Sequence, residues 1–216
     1  VLKETTTLEN VAFSENTSGV AGGALYITED ATVNIKDVAF ANNMVDDAYS
    51  DIHNDGQLNA SGEITLDGGI TGDGRMTVAK DTVLTVIAGK TTISNDVENQ
   101  GASLNLIFDK GFDGNYQLIT EEGSLDKAFT LVDNALYDIS EKKDAEGNIV
   151  EGEYVIEKRS AQGIASRSGA NANQARALLA VTEGSQASGN STFDNIANFV
   201  NNQIQSNNES DRQSAL

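Results

Sequence analysis

The chain has 216 residues, 33 acidic side chains against 14 basic ones, and a formal net charge of −19. A field of that sign repels phosphate backbones and anionic headgroups, and no basic patch interleaved with aromatics breaks it, so nucleic acid is excluded as a partner. Cysteine is absent and His53 is the only histidine, which excludes disulfides, metal-thiolate sites and a histidine metal cluster.

From the N-terminus, Val11-Ala12-Phe13-Ser14-Glu15-Asn16 returns further along as Val38-Ala39-Phe40-Ala41-Asn42-Asn43. The same offset sets Leu25 against Ile52 and Tyr26 against His53. A period of this length fits a β-coil with a basic length of about twenty residues and a longer loop at one corner. Gly22-Gly23 supplies a corner where positive φ costs little and backbones can approach closely. Asn16, Asn43, Asn54 and Asn99 suit corners because Asn tolerates the left-handed region and bonds to nearby backbone. His53 reads as a surface or corner residue rather than a catalytic one.

Acidic side chains gather at two places, Asp46, Asp47 and Asp51, then Asp67 and Asp73. Glycoside hydrolysis needs two carboxylates at a defined separation. With no adjacent Lys or Arg to orient them, these read as solvated loop acids. Asp67 to Gly74 resembles a glycine-aspartate calcium repeat, but a single copy cannot supply ligands from successive turns, so it reads as a Gly-rich corner.

A shorter repeat follows. Ile64, Leu84 and Leu104 share one register, Leu66, Val86 and Leu106 the next, with Thr65, Thr85 and Asn105 between them, all at one constant spacing. Alternation within each segment marks a strand with one buried face, and recurrence between segments marks stacking. Residues 1–127 are therefore expected to form stacked parallel β-coils in an all-β chain. Residues 128–160 alternate again at Ala128 to Leu131, Ala135 to Ile139 and Glu153 to Ile156, around a polar Glu141 to Gly152 loop with a Gly147-Asn148 turn. They are expected to form a β-hairpin cap over the last coil.

Past Ser160 the period lengthens to that of a helix. Ala172, Ala175, Leu178, Leu179 and Thr182 share one face of a helix ended by Gly184, and Phe193, Ile196, Ala197, Val200 and Ile204 form the stripe of a second, opened by Ser191 or Thr192. Residues 161–216 thus read as a helical linker.

The two Phe-x-x-Asn copies, Phe13 to Asn16 and Phe40 to Asn43, together with Gly22-Gly23-Ala24-Leu25, resemble the repeats of polymorphic outer-membrane proteins and related bacterial autotransporters of type V secretion. That resemblance implies a right-handed parallel β-helix, the passenger of a protein displayed at the bacterial cell surface or secreted from it. It also implies an autochaperone-like cap at 128–160 and a linker leading to the protein's own outer-membrane β-barrel, which this chain lacks. No signal peptide precedes Val1 and no barrel strands precede Leu216, so the chain reads as an excised or processed piece.

The implied role is the membrane-proximal stalk that presents a distal adhesive region to a host or neighbouring-cell ligand. Passenger self-association is compatible with it, and neither catalytic residues nor a cofactor are expected. Phe199-Val200-Asn201-Asn202 resembles the Val-Asn-Asn at which some family members release the passenger by Asn cyclisation, which makes Asn201 and Asn202 the candidate cleavage residues. The competing reading is an exported β-helix polysaccharide-active enzyme, a lyase or glycoside hydrolase, with its site upstream or in loops 44–56 and 67–74.

Overall fold

The computed structural model describes residues 4–108, 113–134, 136–168, 171, 173–177 and 179–180. Strand dominates, and the strands of successive repeats pair in parallel. Two long strands, Thr32–Ala41 and Gln57–Leu66, form the centre of the main sheet. Thr5–Glu9 and Ala12–Ser14 pair with the two halves of the first, setting Thr5 opposite Thr32 and Phe13 opposite Phe40. Both pairs keep the offset that the sequence repeats between its two Phe-x-x-Asn copies.

Gln57–Leu66 pairs with Thr32–Ala41 on one side. On its other side the first half pairs with Arg75–Val78 and the second half with Val83–Ile87. Asp96–Asn99 and Ser124–Leu125 extend the first line, and Ser103–Ile107 and Thr130–Leu131 extend the second. A separate parallel sheet joins Leu25–Ile27, Ile52–Asn54 and Ile70–Thr71, and single bridges carry its line on through Ile93 to Ile119.

The constant spacing holds where the sequence shows it: Leu84 lies opposite Ile64 and Leu104, and Val86 opposite Leu66 and Leu106. All six side chains are buried. Full burial of an aliphatic side chain is worth roughly 1.5–3 kcal/mol, so each column adds its stabilisation one layer at a time. Spacing changes elsewhere are taken up between the strands, apart from one register shift within Thr32–Ala41. The step from Gln57 to its partner Arg75 is shorter than that from Leu84 to Leu104, and the step from Asp96 to Ser124 is longer.

The long strands bend at a column of left-handed residues, Asn10 (φ 54°), Asp37 (φ 53°) and Gly62 (φ 70°). Register shifts there between Lys36 and Val38. A Cβ on Gly62 would lie 2.1 Å from Asp37 Oδ1, so a side chain there would displace the carboxylate from the Glu63 N–H it accepts.

The described residues fall into two compact units, one of 4–108, 115–132 and 141–154, the other of 113–114, 133–140 and those from 155 onward. Within the first, Ala128 to Leu131 departs from the expected hairpin: Thr130–Leu131 pairs in parallel with Ser103–Leu104 and continues the stack. Tyr137–Lys143 and Ile149–Lys158 are neighbours in a three-stranded sheet with Gly114–Gln117. The expected Glu141 to Gly152 loop shrinks to a turn at 144–148. Asp144 organises it, with Oδ1 accepting the N–H groups of Glu146 and Asn148, so the flanking polar residues remain strand.

Within the second unit, Arg159 Nε donates to the carbonyls of Asn134 and Tyr137, and its Nη2 lies 2.7 Å from Asp138 Oδ1. A helix, Ala161–Ser168, opens with Ser160 Oγ accepting the Gly163 N–H. Asn171 Oδ1 accepts the N–H groups of Asn173 and Gln174 while Gln174 Oε1 accepts the Asn171 N–H, a reciprocal cap at the start of helical residues 173–177. Of the expected first-helix face, Ala175 is buried and Leu179 half-buried, whereas Ala172, Leu178 and Thr182 lie outside the described residues. The second helix, with Asn201 and Asn202, lies outside them too.

Candidate functional site

The repeated motif is a pair of ladders. Phe13 and Phe40 stack with ring centroids 5.2 Å apart and planes 9° from parallel. Three residues on, Asn16 Nδ2 donates to Asn43 Oδ1 at 2.8 Å, and Asn43 Nδ2 donates to the Phe13 carbonyl and to Asp51 Oδ1. Asn16, Asn43, Asn54 and Asn99 do not take up left-handed conformations. Positive φ falls instead on Glu15 (56°) and Asn42 (53°), one residue earlier in each copy. Asn43, Asn54 and Asn99 are buried, and a buried amide must be hydrogen-bonded. Asn54 Nδ2 reaches Asn95 Oδ1 at 2.8 Å, and Asn99 Nδ2 donates to the carbonyls of Lys127 and Ala128.

Gly22 takes φ 58°, and a Cβ there would lie 2.0 Å from the Leu25 carbonyl oxygen. A Cβ on Gly23 would lie 2.5 Å from Met44 N and from Ser50 O. Both glycines are therefore set by contact with backbone.

The loop acids behave differently from the expectation that they are solvated. Asp51 is fully buried, and its Oδ2 accepts the N–H groups of Asp67 (2.9 Å), Gly68 (2.7 Å) and Gly69 (3.2 Å). Burial pushes its carboxyl above the ordinary carboxylate value, against the downward pull of the Asn43 amide and these three donors. Asp67 is buried as well. Its Oδ1 meets Lys90 Nζ at 2.5 Å and its Oδ2 accepts the Asn42 N–H at 2.7 Å. The expectation that no cation stands beside these acids is thus corrected: Lys90 supplies one from the next repeat, with its ammonium also 3.4 Å from the Tyr49 ring centroid. Asp46, Asp47 and Asp73 are exposed.

His53 stands in an outward column between Tyr26 and Thr71. Its ring stacks on Tyr26 at 4.8 Å, Nδ1 lies 3.0 Å from Thr71 Oγ1, and Nε2 lies 3.1 Å from Asp55 Oδ2. The Tyr26 hydroxyl donates to that same Asp55 oxygen, which raises the pKa of the phenol. A carboxylate oxygen accepts, so Nε2 donates to Asp55, while the Thr71 hydroxyl beside Nδ1 also lies 3.4 Å from the Ile52 carbonyl.

The result is a hydroxyl-imidazole-carboxylate chain on the sheet's outer face. Beside it lies an open groove of about 390 Å³ whose walls include Glu29, Asp30, Asp55, Asp73, Arg75 and Asp96. Each polar group of the chain is held by a partner in its own or an adjacent repeat, the arrangement of a structural ladder. Among the described residues, no three His, Cys, Asp or Glu side chains gather closely enough to hold a metal ion. Sequence reasoning missed Asp55, Lys90 and Asn95. Only Asp55, two residues after His53 and just past the end of its strand, carried a local signal.

No protein-family model, curated protein or solved structure matches the chain.

Proposed function

We propose that the chain is the membrane-proximal stalk of a bacterial cell-surface autotransporter passenger, a right-handed parallel β-helix whose terminal hairpin assists folding and whose helical linker leads to its own outer-membrane β-barrel. The observation that carries this reading is the in-register parallel pairing of the two Phe-x-x-Asn copies, with Phe13 stacked on Phe40 and Asn16 bonded to Asn43. Those are the residues on which the family resemblance rests, and their pairing gives the motif a physical purpose. The stalk holds an adhesive region away from the membrane and presents it to a host or neighbouring-cell ligand.

The polysaccharide-enzyme reading needs two free carboxylates. Asp51 and Asp67 instead bond to neighbouring coils, which favours the structural role. Fusing the chain to an outer-membrane β-barrel and labelling intact bacteria tests the proposal. Antibody and protease access to residues 4–132 from outside the cell is the expected result. Retention of a folded chain in the periplasm would overturn it.

A further inference from the structure

The coils of the stack differ in how much chain they use. The one that sets Ile64, Leu84 and Leu104 in line is shorter than the upstream one, which runs from Phe13 to Phe40 before it returns to the same column. Part of the additional length builds a small separate sheet, Thr17–Ser18 parallel to Met44–Val45, which is antiparallel to Ala48–Tyr49. The sheet and its loops expose two large apolar side chains, Val20 at 86% and Tyr49 at 47%. The same loops carry exposed acids, Glu15, Asp46 and Asp47. Tyr49 already acts as a cation acceptor, with Lys90 Nζ 3.4 Å from its ring centroid.

We propose that loops 15–23 and 43–50 form a docking surface for a basic, extended segment of another protein. Its apolar side chains cover Val20 and Tyr49, and its Arg or Lys side chains meet Glu15, Asp46 and Asp47. Charge selects this occupant over the alternatives. A second copy brings a net charge of −19 to an acidic surface, and residues 181–216 of this chain carry Glu183, Asp194, Glu209 and Asp211 against Arg212 alone.

The test is calorimetric titration of the full chain with a synthetic peptide of alternating Arg and Val, and with its Glu and Val counterpart. The Arg peptide is expected to bind and the Glu peptide not. Tyr49→Ala lowers the affinity at least tenfold, Tyr49→Phe retains it, and the pair Asp46→Asn and Asp47→Asn lowers it at least tenfold. The pair Asp30→Asn and Asp73→Asn, which removes equal charge from the groove beside His53, leaves it unchanged. Equal losses from the two Asp pairs would reduce the effect to diffuse charge and overturn the proposal. So would absence of binding, or sedimentation showing a dimer of the free chain that Tyr49→Ala dissolves.

Discussion

At the scale of single residues, Asp51 ties two neighbouring repeats together. Replacing it with Ala strands three backbone N–H groups and the Asn43 amide in a buried site, a loss expected at about 3–5 kcal/mol in urea unfolding. Because its native pKa is raised, the folded chain holds the proton to higher pH than the unfolded chain does. The stability this group contributes is therefore full below the unfolded value of 3.8 and is lost as pH rises through the native value. Asp51→Asn should remove that slope, and the difference between wild-type and variant unfolding curves between about pH 3 and 7 isolates it. Gly22→Ala combines φ 58° with a Cβ 2.0 Å from the Leu25 carbonyl, so a loss exceeding about 1 kcal/mol is expected in thermal melts. A melt equal to wild type would mean that the corner relaxes freely.

Elements owe their stability to columns rather than to local propensity. Val86 is fully buried between Leu66 and Leu106, and Val86→Asp places an uncompensated charge there at an expected cost of about 3–5 kcal/mol. The aromatic ladder makes a graded comparison. Phe40 is buried whereas Phe13 is half-buried, so Phe40→Ala should cost about 3–5 kcal/mol and Phe13→Ala clearly less. Equal losses from the two would show that the stack, not burial, sets their worth. The turn at 144–148 follows a different rule, because the Asn148 amide and backbone bonds hold the Asp144 carboxyl below its ordinary value.

For the whole molecule, parallel pairing between consecutive repeats means that each layer is supported mainly by its two neighbours. Thr130–Leu131 covers Ser103–Leu104, and Gly152 accepts the Leu118 N–H through its carbonyl. Deleting residues 128–158 removes both supports. Hydrogen-exchange protection should then fall in residues 60–110, most at Ser103–Ile107 and less toward Gln57–Leu66. Protection unchanged along that range would show that the upstream repeats close by themselves and that the terminal segment has no templating role in folding.

The periodic part of the fold is legible in the sequence. A stacked strand presents the same side-chain type at the same place in every layer, so Leu66, Val86 and Leu106, or Phe13 and Phe40, recur as a visible spacing along the chain. The corners, by contrast, depend on contacts between coils. Asp51 with the loop at 67–69, Asp67 with Lys90 and Asn54 with Asn95 are joined across unrelated sequence separations. Loops of unequal length meet there, and a side-chain bond between them leaves no period in the chain. The candidate site was legible to the same degree: Tyr26 and His53 shared a visible repeat, whereas the carboxylate joining them and the burial that turned Asp51 and Asp67 inward depended on how neighbouring coils closed.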